Sequence, residues 1–579
     1  MSEKFFVKNY SIFRNSKEGP DQLSNFTAQI TRELIYHDGQ KTTTYLEIDG
    51  QMKGEKDDEP FILPTITIEA GSFASLGWVA ERWGMIPIIF PAPSGERDLR
   101  HAIQVYSKPT KKHIYTHTGW TKIGSSKTYL STTGGIDRAG LHPEISVELP
   151  HELRRMALPP PDRAGAAFHA SRQLITIGPS TITWPLLLAA YRAAYGPADF
   201  SIHLSGRTGT FKSEACALIQ AHFGRDFDAR SLPANWSSTT NSIEALAYRA
   251  KDAILVVDDY IPVGTAYQVR QLASGADRLF RAQGNQAGRS RLTEISSMQT
   301  TFYPRGIILS TGEDIPEGHS MRGRMFILEL APGDITAERL TTAQNNKHSY
   351  CTAMANWVQW LAKQEDKLLP TLARTIRDNH IGTGHPRTPQ MIGDLAATAS
   401  LLGLWATEMG WMTDADANDM IDHATVSVIA AAEQQITHLQ QADPVEAFID
   451  TIRHLLTSLL AHAKTKSGGI PIDAERFGWT KEEVPGQMPT FRANGPVIGW
   501  VDGEHHEFLF DPGLITLIKR HSGGKLAITP ITLGKRIKEA GMLARTDDTR
   551  QRNTVRTTIE GHPRQLMAFR LSDIINDEE

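Results

Sequence analysis

One stretch constrains this chain more than any other: Asp199–Gly224, which reads DFSIHLSGRTGTFKSEACALIQAHFG. An apolar strand (Phe200, Ile202, Leu204) enters a turn of Gly206, Arg207, Thr208, Gly209, Thr210 and Phe211. Lys212-Ser213 then opens an amphipathic helix that stops at Gly224. Strand, glycine-bearing turn, Lys-Ser and helix are the parts of a phosphate-binding loop. Glycines let the backbone curl its N–H groups inward, the helix N-terminus adds positive potential, and lysine supplies a full charge. Residues 206–213 are therefore the expected nucleotide ligands, with the Ser213 hydroxyl on Mg²⁺. Phe211 stands where the consensus G-x-x-x-x-G-K-[ST] has glycine. Phenylalanine resists φ > 0, so the expectation is a loop closed by different geometry, or a decayed site. The competing reading is an ordinary strand-to-helix turn.

Around this loop, residues 199–335 alternate short buried strands with helices, the texture of a parallel α/β domain. AILVVDDY ends in Asp258-Asp259, GIILSTGED ends in Ser310-Thr311, and MFILEL follows Arg322-Gly-Arg324. A carboxylate closing a buried strand beside a phosphate loop holds Mg²⁺ through water, the role expected of Asp258. Asp259 is then placed to orient or deprotonate the attacking water, one methylene shorter than the usual glutamate. Loop, acidic strand, polar sensor (Thr311) and a downstream arginine pair, in that order, are the elements of an AAA+ ATPase. The arginines of that plan reach a neighbouring subunit's nucleotide, which makes Arg322 and Arg324 catalytic candidates.

The whole chain, 579 residues, is longer than one core allows and predicts three or four domains. Residues 1–150 read as a β-rich N-terminal domain, with a helix over Ser72–Trp83 and a meander at IYTHTGWTKIGSSKTYLSTTGGI. His117 and Trp120 lack metal-ligand spacing and are taken as packing residues. Residues 151–198 form a Pro-broken, helical approach, so the ATPase core is bounded at 151–335. Residues 336–464 read as a helical lid, KTKSGGIP as a flexible boundary, and 472–579 as a winged-helix-like domain.

Net charge is −4, so binding to nucleic acid has to come from local basic patches. Two are visible. GADRLFRAQGNQAGRSRL holds Arg278, Arg281, Arg289 and Arg291 with Gly284 and Gly288. It reads either as a solvated loop or as a hairpin that tracks a phosphate backbone. Between Lys519 and Arg570 twelve Lys and Arg face four acids, including Arg550, Arg552 and Arg556 after a helix at Pro530–Ala540. That is a duplex-binding wing, a protein contact or a solvated face. The only cysteines, Cys216 and Cys351, exclude a disulfide framework, and the longest apolar run is too short to span a bilayer. A cytoplasmic protein without membrane partners is expected.

WSSTTNSIEALAYRAKDAILVVDDYIP, with SGRTGTFKSE and RGIILSTGEDIP, resembles the ATPases grouped as domain of unknown function 927. Those are similar to the replicative helicases of phages and mobile genetic elements, relatives of MCM helicases. The resemblance is strongest from about 200 to 335, and HTGW at His117–Trp120 is a weaker match. It implies a homo-oligomer, a hexamer, that uses ATP and Mg²⁺ to translocate on single-stranded DNA during replication initiation. It implies Lys212 and Ser213 on phosphate and Mg²⁺, Asp258 on Mg²⁺, Thr311 as sensor, and Arg324 before Arg322 as the trans-acting arginine. Two alternatives stay open: a nucleotide-gated DNA-binding scaffold, and an ATPase that remodels partners.

Overall fold

The computed structural model describes residues 4–54, 59–288, 302–316, 318–381, 385–440, 443–483, 488–522, 526, 529–547 and 552–575. It is a multidomain α/β protein. Its centre is a five-stranded sheet, which we label in chain order. Strand β1 (Ser201–Gly206) leads to helix α1 (Lys212–Gln220), and β2 (Ala234–Asn235) to α2 (Thr240–Arg249). Strand β3 (Ile254–Tyr260) leads to α3 (Ala266–Asn285), and β4 (Ile307–Gly312) and β5 (Met325–Leu330) complete the sheet. The spatial order is β2-β3-β4-β1-β5, and every pair is parallel. Strands buried on both faces need apolar residues throughout, and HLS, ILVV, IILS and FIL supply nothing exposed. Since β4 lies between β1 and β3, Thr311 sits between the phosphate loop and the acidic strand end.

The helices after β5 do not form a separate body. Ser180–Tyr195, Thr388–Glu408 and Asp414–Gln440 share one continuous core with the sheet, from Tyr129 to Ala432. Helix Thr388–Glu408 buries residues on nearly all sides, so it requires partners on more than one face. The core ends there. Helix Pro444–Thr457 packs instead with the C-terminal residues, through Phe448, Ile452 and Leu456. The boundary expected at KTKSGGIP therefore falls inside a domain: His462–Thr465 is a strand paired in parallel with Val497–Asp502. Its partner lies some thirty residues downstream, beyond the reach of local composition. The elements expected near the C-terminal end hold in part: Thr529 caps helix Pro530–Glu539, and Val555–Ile559 pairs with His562–Arg570 across Glu560-Gly561.

At the N-terminal end, a sheet containing Phe26–His37, Thr42–Lys53 and Thr110–Tyr115 packs against helix Gly95–Tyr106 through Leu99, Ala102 and Ile103. Sequence periodicity does not reveal that helix because it follows the Pro-rich IPIIFPAPSG. The helix expected at Ser72–Trp83 is broken at Leu76, where φ is +54°, into Ala70–Ser75 and Trp78–Trp83. The meander is present as Gly119–Ile123, Ser126–Ser131 and Gly134–Ile136. His117 and Trp120 do pack. The Trp120 indole donates to Ala194 O (2.7 Å), and burial pushes the His117 imidazole down to about 4. Arg305, just before β4, donates to Asp38 O (2.9 Å) and so ties the N-terminal sheet to the central one. No helix among the described residues is long and apolar enough to cross a membrane.

Candidate nucleotide site

The loop of residues 206–213 leaves β1 at the C-terminal edge of the sheet, where open α/β sheets hold ligands. Gly209 has φ +85°, and Gly206 admits no Cβ because Leu330 O lies 2.6 Å from where one would sit. Phe211 takes φ +64° and ψ 24°, the left-handed conformation that glycine adopts without cost. The expectation that a phenylalanine forces a different loop is thus overturned. The curl is kept, and Phe211 bears the strain, typically about 1–2 kcal/mol.

The side chains below the loop converge. Lys212 Nζ donates to Gly206 O (2.7 Å) and Arg207 O (2.9 Å). Ser213 Oγ donates to Asp258 Oδ1 (2.8 Å), and Thr311 Oγ1 donates to the same oxygen (2.5 Å). Thr311 Oγ1 also accepts the Asp259 N–H (3.0 Å). A bulge in β3 explains this double engagement. Val257 pairs with Ser310 and Tyr260 with Gly312, so Asp258 and Asp259 together oppose the single residue Thr311. Asp259 accommodates the extra residue at φ +72°. A hydroxyl and a carboxylate in contact, both hard oxygen donors, form the pair expected for Mg²⁺. The residues present fit that ion and a nucleotide phosphate.

Glu313 is the residue that sequence reasoning missed. Its carboxylate accepts a short hydrogen bond from Thr208 in the loop. Burial lowers the Lys212 ammonium, and Glu313, ahead of Asp258 and Asp259, opposes that fall. Asp259 is pushed up, first by burial, then by Asp258 and Glu313. Glu313 directly follows the sensor strand, and that position was its only sequence signal. Asp259 also lines a cavity of about 690 Å³ between α2 and α3, so water reaches it from that side.

The arginines lie elsewhere. Ser201 N donates to Arg324 O (3.0 Å), which puts Arg324 at the opposite edge of the sheet from the loop. The separation is roughly 20 Å along six strand residues. There Arg324 lies near Arg387 and Arg281, and burial, then these two charges, push its guanidinium down. Arg322 Nε donates to Pro316 O (3.1 Å) on the same segment. Arg281 is not on a loop: it sits on the 20-residue helix α3, paired with Asp277 at 2.7 Å. The reading of that segment as a solvated loop or a hairpin is therefore corrected as far as Asn285. Ala276, Leu279 and Phe280 recur at helical spacing and are buried. Its glycines serve close approach, since a Cβ on Gly275 would meet Thr240 Oγ1 at 2.6 Å. Arg278 holds Glu244 at 2.6 Å and Asn241 at 2.6 Å, so those two do not cap α2. Thr239 does. Arg552 and Arg556 are exposed beside the C-terminal hairpin, whereas Arg289, Arg291 and Arg550 lie outside the described residues.

With this geometry established, known proteins can be set beside it. Neither a protein-family profile nor a curated protein matches the chain. A solved structure does: the active helicase Cch of SCCmec type IV, at TM-score 0.52 and 11% identity, over 99% of this chain and 99% of that one. The two share a fold. The apo C-terminal region of NrS-1 also aligns, over 70% of this chain and 87% of that chain at 11% identity. Its TM-score of 0.25 says nothing of the fold.

The strain at Phe211 is testable. Phe211 is 36% exposed, so truncation to glycine or to alanine forfeits the same partial burial of the ring, and the difference between the two variants reports on the backbone. Phe211→Gly relieves the left-handed strain at some cost in unfolded-state entropy, so it should be more stable than Phe211→Ala by about 0.5–1 kcal/mol. Phe211→Ala keeps the strain. The readout is the unfolding transition whose midpoint ATP shifts, since that transition reports on the central domain. An equal response of the two variants would locate the strain elsewhere.

Proposed function

We propose that the chain is an ATP-dependent DNA helicase of a phage or mobile genetic element, with an AAA+ core. The observation that carries this is the hydrogen-bonded line Ser213–Asp258–Thr311 beneath a curled phosphate loop. Lys212 and the loop N–H groups hold the ATP phosphates, and Ser213 and Asp258 hold Mg²⁺. That ion, when bound, neutralises charge developing on the transferred phosphoryl group. Asp259, raised toward neutrality and open to a cavity, receives the proton of the attacking water. Thr311 fixes both acids through one hydroxyl.

Arg324 lies too far from its own loop to act there. Its role is in a neighbour's site, and the working unit is accordingly a ring, which we take to be a hexamer on single-stranded DNA. Helix Pro530–Glu539 followed by the hairpin supports a winged-helix-like reading, with Arg552 and Arg556 toward duplex. The fold shared with a helicase supports the same conclusion.

Steady-state ATP turnover with and without single-stranded DNA tests it. Turnover stimulated by DNA is expected. No turnover at all points to a nucleotide-gated scaffold, and turnover indifferent to DNA points to remodelling of a protein partner.

A further inference from the structure

A second concave site lies where the N-terminal sheet meets the end of α2. It is a cleft of about 640 Å³, within the size range of small-molecule and nucleotide sites. Its wall is aromatic: Tyr36 and Tyr45, diagonal neighbours on adjacent strands, meet edge to face with centroids 5.3 Å apart at 80°. Its rim carries two cations, Lys41 from the turn at 38–41 and Arg249 from the last residue of α2, and neither is in an ion pair with a carboxylate among the described residues. Asp38 lines it too, with one carboxylate oxygen taken up by the Gln40 and Lys41 N–H groups of its own turn. Glu148 also lines the cleft, offering an acceptor for an N–H on a base edge, the N3–H of thymine included. Burial, then Glu148 and Tyr45, push the Tyr36 hydroxyl up, so it stays a neutral donor.

Rings for stacking, cations for phosphate and an acceptor for a base edge specify a nucleotide unit. We propose that this cleft holds one nucleotide of a single DNA strand, its base on the tyrosine wall and its phosphate on Lys41 and Arg249. The proposal rests on the DNA reading above and adds a contact outside the ATPase site. A duplex is excluded because paired, stacked bases present no free ring face. The two cations belong to different parts of the molecule, so an occupied cleft clamps the N-terminal sheet to α2. The turn that carries Lys41 is itself anchored on the core. Gln40 Nε2 donates to Tyr303 Oη (3.3 Å), and Arg305 holds Asp38 O.

The test uses the full chain and a fluorescent oligo-dT in a salt titration. Lys41→Ala together with Arg249→Ala should lower the slope of log affinity against log salt by about 1.4, two contacts at roughly 0.7 each. Lys41→Ala alone, on an exposed turn, should lower it by about 0.7 without risk to folding. ATP turnover in the absence of DNA should not change. An oligonucleotide carrying 5-iodouracil should photocrosslink within residues 26–53. Undiminished slopes in both variants, or crosslinks only elsewhere on a bound oligonucleotide, overturn the cleft and leave the helicase reading standing. A wild type that turns over ATP yet binds no oligonucleotide overturns both. Thymidine monophosphate binding as tightly as the oligonucleotide, with slopes unchanged, assigns the cleft to a free nucleotide and ends the strand version.

Discussion

Lys212→Ala should abolish ATP hydrolysis and leave the fold intact. The ammonium is a full positive charge drawn into the curl of the loop, on Gly206 O and Arg207 O. Phosphoryl transfer asks little covalent chemistry of a protein, so its rate depends mainly on charge placed in advance. Removing one such donor typically costs about 10²–10³ in turnover, and the central cation of a phosphate loop belongs at or beyond the upper end. Stability should scarcely move, because this side chain bonds to two carbonyls that solvent also reaches and packs against little. Turnover and thermal unfolding measured on one preparation separate the effects. A folded variant that hydrolyses ATP at the wild-type rate would remove the phosphate-loop assignment.

Arg324→Ala should bind ATP normally and hydrolyse it poorly, a loss of about 10³–10⁵ if it acts as a trans-acting arginine. The distinguishing experiment is complementation. A subunit lacking Lys212 still presents Arg324, and a subunit lacking Arg324 still has a working loop. Random mixing of the two in equal amounts makes about one head-to-tail interface in four competent. Activity should therefore return when two inactive preparations are combined. Mixed rings that demonstrably form but stay inactive would place the arginine in another role, such as holding Asn285 and the end of α3.

Much of the candidate site's geometry was legible because its polar groups sit at strand ends, and a strand end is a local sequence event. Lys212, Ser213, Asp258 and Thr311 all follow from short apolar runs that stop at polar residues. The backbone between them was not legible. No pattern announces that Phe211 keeps a left-handed curl, or that β3 bulges so that both acids oppose Thr311. Tertiary contacts decide both conformations. Helix α3 was misread because glycine signals flexibility when local propensity is considered alone. At Gly275 and Gly284 the constraint is a neighbour's side chain, Thr240 in one case and Arg324 in the other. The C-terminal boundary failed for a related reason, since a parallel strand partner far along the chain leaves no local trace. Glu313 was visible but unremarkable until the fold brought it to Thr208.

Strand β4 has a consequence for how work is transmitted. One end carries Thr311, bonded to the Asp258 carboxylate and the Asp259 N–H, and just before the other end Arg305 grips the Asp38 turn. Hydrogen-bonded ladders on both sides, to β1 and β3, prevent the strand from bowing or slipping register. On the proposed function it would serve as a push-rod, carrying a displacement imposed beside Thr311 to the Arg305 contact through a strand braced on both sides. No hinge has to open for the N-terminal sheet to sense the chemistry. On that reading, a movement larger than those ladders tolerate would have to arise by leverage at the Arg305 contact.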